Sequence, residues 1–341
     1  MIGEAGASVD TFSDTRRTDR VAVCAWAVCL GALWLRYCGP SAANVVPFML
    51  GLAVAAPVLG LADESCRDWV RRRLPDSWWG GVLIWAVLVA LVLAAAASRQ
   101  RTNPAFLLRW ALYLALPIAI LGKRWRTSVG VPLVLAAIAL VIPFAVGMVP
   151  AVRLAISGQP PVRIVVPLVL DLGLLLLLVY RPQPAPQYRL WWPRRELLLA
   201  TAAFAAFAVL ALPAALALGF VRPGLGESTI GAAGLRLLQI FFLIAIPEEL
   251  VFRGLLQNGV ERLLGNARGL ILATVLFGLS HIGHAPAPNW RYVVLATVAG
   301  VAYGWVYRKT RSITASAVTH TLVDWTWFVF LAGAVGQYAP G

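Results

Sequence analysis

Apolar residues in this chain do not alternate tidily with polar ones. They run on in long stretches separated by short polar breaks, at roughly 21–37, 42–62, 79–97, 106–122, 130–151, 162–180, 197–220, 232–264, 268–281, 291–308 and 313–335. Crossing a bilayer takes ~20 apolar residues in a helix, because a helix satisfies its own backbone hydrogen bonds where no water can. The pattern predicts an all-α fold: a polytopic transmembrane helical bundle of about eleven apolar segments. The eighth is too long for one simple crossing and the ninth is short.

Composition agrees and excludes other classes. Of 341 residues, 60% are hydrophobic and 13% charged, and the mean hydropathy is +0.78. A soluble domain is nearer ~45–50% apolar and ~25% charged. The 29 basic residues against 15 acidic ones resemble a nucleic-acid signature. In a membrane chain they are better explained by cytoplasmic loops collecting Arg and Lys, so nucleic acid is not an expected partner and the lipid bilayer is. With the N-terminus inside and the segments alternating, 19 basic residues fall on the cytoplasmic side and nine on the outer, with Arg253 inside a helix. Residues 1–20 are polar, with Arg16, Arg17 and Arg20 ahead of the first apolar run and no small-residue cleavage site after it; this predicts a retained first helix. Lysine occurs only at Lys123 and Lys309 in a chain heavy in Arg, Ala and Leu, a usage that points to a high-GC bacterium and its cytoplasmic (inner) membrane. Cys24, Cys29, Cys38 and Cys66 form no CxxC pair and read as small packing residues.

The stretch RPQPAPQYRLWWPRRE at 181–196 has four prolines, four arginines and a Trp pair. It marks a cytoplasmic Pro/Arg-rich linker. Before it, after the polar N-terminus 1–20, residues 21–180 form a transmembrane region without a histidine and without a readable role. After it, residues 197–335 hold all three histidines and most of the intramembrane acids.

Ionisable groups at membrane depth cost at least ~2.5–3.5 kcal/mol each and need a partner or a purpose. Asp171, Glu248, Glu249 and Asp324 qualify. Asp171 stands alone in its segment and is expected to make a polar contact with another helix. In IPEELVFRG, Glu249 and Arg253 are i,i+4 neighbours able to pair on one helical face. Glu248 is rotated by ~100° from that face and is left for something else. Pro247 can kink the helix and free a carbonyl. In LFGLSHIGHAPAP, His281 ends an apolar helix one turn after Phe277, and His284 falls in the loop as an ordinary polar residue. In SAVTHTLVDW, His320 and Asp324 are i,i+4, so the carboxylate can orient the imidazole.

These three stretches, in this order, resemble the motifs EExxxR, FxxxH and HxxxN or HxxxD of the CPBP family of intramembrane proteases, which includes the CAAX prenyl endopeptidases. Here they read Glu248-Glu249-Leu-Val-Phe-Arg253, Phe277-Gly-Leu-Ser-His281 and His320-Thr-Leu-Val-Asp324. The third carries Asp where the eukaryotic enzymes typically have Asn. The resemblance covers roughly 197–335, the expected protease core, and leaves the first six segments outside it.

The resemblance implies a CAAX-type intramembrane endopeptidase that cuts a membrane-associated protein or peptide, expected here near the cytoplasmic face. Glu248 and His281 would activate a water. His320 and Asp324 would stabilise the oxyanion, although an ionised Asp324 cannot donate a hydrogen bond and would instead orient His320. Glu249 and Arg253 would hold their helix in place. The family is described as glutamate-type, so no cofactor is expected. A zinc site of Glu248, His281 and His320 is the alternative, although HExxH is absent. Two other functions fit the same residues: a proton-coupled transporter, and a non-catalytic immunity or scaffold protein on the same fold. At ~1.5 Å per residue in a ~30 Å core, Glu248 and His320 count to the cytoplasmic half, whereas His281 does not.

Overall fold

The computed structural model describes residues 5–98, 103–122, 130–183, 185–217, 219–224 and 229–333. Arg99, Arg101, Lys123, Arg124 and Arg126, used in the basic count above, lie outside them. The described residues form twelve helices and two short antiparallel strand pairs. Five helical stretches are long and apolar enough to cross a membrane: Arg16–Cys38, Ala42–Gly60, Trp78–Ala97, Arg194–Ala217 and Ile230–Leu264. The chain divides into two compact units.

The first unit takes residues 1–128, 135–184 and 188–191. It contains α1 (Ala5–Cys38), α2 (Val45–Gly60), α3 (Glu64–Arg73), α4 (Trp78–Ala97), α5 (Pro104–Ile120), most of α6 (Gly130–Ala145) and α7 (Val165–Tyr180). The polar residues from Ala5 onward are helical and continuous with the first apolar run. Helix α3 is not an apolar segment at all. Asp63 caps it, accepting from the Ser65 N–H at 3.0 Å, and Arg71, Arg72 and Arg73 complement its C-terminal dipole. Strands β1 (Arg153–Leu154) and β2 (Val162–Arg163) pair where the sixth apolar segment was expected to begin.

The last six residues of α7, Leu175–Tyr180, are π-helical, a winding that breaks the regular i→i−4 ladder. Arg71 meets the Leu178 carbonyl there, donating from Nε at 2.8 Å. Asp171, expected to contact another helix, is fully buried, and neither oxygen has a hydrogen-bond partner among the described residues. The reason is compositional: α2 and α4, which pack against α7, carry no ionisable, amide or hydroxyl side chain.

The second unit takes residues 129–134, 185–187 and 192–341. Its helices are α8 (Arg194–Ala217), α9 (Ile230–Leu264), α10 (Asn266–Leu279), α11 (Trp290–Thr310) and α12 (Ile313–Phe330). Strand β3 (Val221–Pro223) pairs with β4 (Leu331–Gly333), so the last apolar segment ends as strand. The overlong eighth segment is one continuous 35-residue helix, α9. Two π-helical stretches, Phe241–Ala245 and Leu250–Gln257, flank its α-helical piece Ile246–Glu249.

Helices α10 and α11 pack side by side, and glycines make the approach possible. A Cβ at Gly278 would overlap Thr297 Oγ1, and one at Gly304 would overlap Leu270 Cδ1. Gly300 and Gly304 sit one turn apart on α11, the small-xxx-small spacing that lets membrane helices pack closely. Gly304→Leu is expected to destabilise this unit by about 1–3 kcal/mol through overpacking. Thermal unfolding in detergent reads it as a lower midpoint, and an unchanged midpoint would remove the packing argument.

Two turns define one end of this unit. Gly265, at φ +86°, joins α9 to α10, and Arg311, at φ 54°, joins α11 to α12. The Gln187 N–H donates to the Arg311 carbonyl at 2.7 Å, and the Ile313 N–H donates to the Gln187 carbonyl at 3.0 Å. Residues 185–187 of the linker therefore lie at this end. The β3–β4 pair and the loop after α10 lie at the other.

Candidate active site

Helices α9, α10, α11 and α12 bring all three sequence motifs together in the second unit. Glu249 is at the centre and has no solvent exposure. Its Oε2 is 3.2 Å from Arg253 Nε, the expected i,i+4 pair, kept across the start of the π-helical stretch. Its Oε1 accepts from His320 Nδ1 at 3.0 Å. The Ser316 hydroxyl lies 2.5 Å from Glu249 Oε2 and 2.8 Å from the Tyr303 carbonyl. One carboxylate thus ties α9 to α12 at two points and faces Arg253 as well.

Arg253 is fully buried too. Its Nη2 donates to the Gly300 carbonyl at 3.2 Å. Its guanidinium carbon lies 5.0 Å from the centre of the Phe277 ring and 5.8 Å from that of Tyr303. Cation–π attraction strengthens on desolvation, so aromatic faces supplement the single carboxylate and the single carbonyl.

His320 is clamped on every side. Tyr303 stacks on it with centroids 4.4 Å apart and planes 11° apart, and Phe277 meets it edge-on at 5.8 Å. With Nδ1 committed to Glu249, Nε2 faces Asp324 Oδ2 at 3.4 Å and Glu248 Oε2 at 3.8 Å. The sequence assigned the orienting carboxylate to Asp324 alone. The structure gives the Nδ1 contact to Glu249, and Asp324 shares Nε2 with Glu248.

Glu248 points away from the Arg253 pair, as its rotation on the helix requires. Its side chain keeps 35% of its exposure, and that of Asp324 keeps 27%. His281 follows the end of α10, its ring 4.9 Å from Phe277. Its Nδ1 is 2.9 Å from the Phe277 carbonyl. A carbonyl only accepts, so the proton sits on Nδ1 and Nε2 is the basic nitrogen. His284, read from sequence as an ordinary loop residue, stacks on His281 at 5.3 Å, and both rings pack against Tyr292. It lies close enough to Glu248 for their charges to interact.

The sequence reading missed Ser316, Tyr303 and the Gly300 carbonyl. Ser316 had a signal, because residues 316, 320 and 324 form a polar stripe at i,i+4 spacing. Tyr303 and Gly300 had none. As for a metal, no group of three His, Cys, Asp or Glu side chains among the described residues is arranged to hold one.

A buried ion pair thus orients an imidazole beside a second, partly exposed carboxylate. Residues 231–326, which contain all three motifs, match the family model described as Rce1-like, type II CAAX prenyl endopeptidase Rce1-like. No curated protein and no solved structure matches the chain.

Proposed function

We propose that this integral membrane protein is an endopeptidase that hydrolyses a peptide bond of a membrane-associated protein or peptide. The observation that carries the reading is the division between the two adjacent glutamates: Glu249 is sealed into contacts with Arg253, Ser316 and His320, while Glu248 keeps 35% of its side-chain exposure beside His320 Nε2. A sealed carboxylate positions; an open one can take a proton from water. Glu248 is the general base in this mechanism, and the His281 Nε2 lone pair is the second acceptor near the site. His320 Nε2–H is the donor that meets the oxyanion of the tetrahedral intermediate, its ring held by Glu249 below and Tyr303 alongside. Asp324 aligns His320 until substrate enters.

The transporter reading is less favoured because the charged residues at the core of the site are locked against one another. Glu249 and Arg253 have no solvent exposure and line no open path. Comparing the termini of membrane proteins between cells with and without the chain tests the proposal. New termini that appear only with the chain support it; identical termini across the membrane proteome overturn it.

Cleavage is further expected to survive strong chelators and metal-free preparation, since Glu248 and His281 supply the base. Loss of cleavage on chelation, restored by zinc, would instead make Glu248, His281 and His320 the ligands of a metal centre.

A further inference from the structure

The end of the second unit at which the site opens is the end poor in basic residues. Along α12, exposure rises from none at Ser316 to 27% for the Asp324 side chain. On α9 the Glu248 side chain keeps 35% of its exposure, although Ala245, Ile246 and Arg253 around it are buried. Asp324 lies toward the β4 end of α12, and His281 sits in the loop after α10 at that same end.

The opposite end is sealed. Below Arg253, the Gln257 amide donates to Glu261 Oε1 at 2.9 Å and to the Gly304 carbonyl at 3.3 Å. Glu261 pairs with Arg311 at 2.5 Å. Gln257 and Glu261 are buried, so a closed polar layer lies between Arg253 and that end.

The sealed end carries the charge. Arg194, Arg195, Arg262, Arg268, Arg308, Lys309 and Arg311 belong to it, against Arg222, Arg236 and Arg291 toward the open end. Residues 185–187 of the Arg-rich linker join the sealed end through the Arg311–Ile313 turn. Basic residues flanking membrane helices stay in the cytoplasm. The expectations of a cytoplasmic 181–196 linker and a cytoplasmic-facing site therefore cannot both hold.

Building on the endopeptidase reading, we propose that the site opens to the non-cytoplasmic side. Its substrates are then membrane-bound proteins or peptides whose scissile bond lies at or beyond the outer leaflet. Cytoplasmic tails of the kind that carry lipid modifications at a C-terminal cysteine are not its substrates.

Cysteine accessibility in the full chain, expressed in a bacterial host, tests the orientation. Cys24, Cys29, Cys38 and Cys66 are replaced, and a single cysteine is placed at Ala285, in the loop after α10, or at Ala267, beside the Gly265 turn. Both positions are exposed. With a membrane-impermeant maleimide, Ala285→Cys is expected to label in intact spheroplasts and Ala267→Cys only after lysis. The reverse pattern overturns the proposal, and labelling after lysis shows that each variant is folded into the membrane and reactive. If cleavage products prove absent while this labelling pattern holds, the endopeptidase reading fails and the orientation stands.

Discussion

Glu248→Gln is expected to lower cleavage by a factor of about 10²–10⁴, the usual contribution of a positioned general base, while the protein still folds and inserts. Glutamine keeps the size and shape of the side chain and removes the proton acceptor. The buried neighbour that faces the lost charge is His320 Nε2 at 3.8 Å, and it keeps Asp324 at 3.4 Å; the Glu248 side chain itself is 35% exposed. His320 keeps its Nδ1 contact with Glu249, so the oxyanion donor stays in place. The variant should bind substrate without releasing product, and co-purification with Glu248→Gln would then identify what the wild-type protein cuts. The measurement is the set of membrane-protein termini that depend on the chain. If Glu248→Gln restores those termini as fully as wild type, the base is elsewhere, and His281 is the next residue to replace.

The sequence showed most of the bundle because lipid imposes a simple rule: each crossing must be an apolar helix. What that rule does not govern was harder to read. Helix α3, ESCRDWVRRR, is mostly polar, yet Asp63 ahead of it and three arginines at its end are ordinary helix-end signals. The β1–β2 pair lies in the break before the sixth segment and takes in that segment's first two residues, a strand too short for its pattern to show. Asp171 gave no hint that the helices beside it would offer no partner.

The site was legible along each helix and obscure between helices. Local spacing exposed the pairs Glu249–Arg253, Phe277–His281 and His320–Asp324. The contact that joins them, from His320 to Glu249, spans 71 residues of sequence and depends on which faces of α9 and α12 meet. Depth is hard to read for a related reason. Counting residues from assumed surface starts treats all helices alike, whereas α10 has 14 residues and α9 has 35.

Glu249→Gln should cost both stability and activity, for reasons that a double substitution can separate. Removing the charge leaves the Arg253 guanidinium buried with one carbonyl and two aromatic faces, and breaking a buried pair from one side costs about 3–5 kcal/mol. Glu249→Asp should recover little, because the shorter arm cannot reach Arg253, Ser316 and His320 together. Replacing both partners, as in Glu249→Leu with Arg253→Leu, removes the stranded charge, and such replacements are often neutral in stability. The double variant should therefore regain most of the thermal midpoint in detergent that Glu249→Gln loses. It should not regain cleavage, because His320 Nδ1 no longer has an acceptor and its ring is free to turn away from the reacting carbonyl. Recovery of both properties would show that Glu249 serves only to neutralise Arg253. Recovery of stability alone makes it the residue that positions the oxyanion donor.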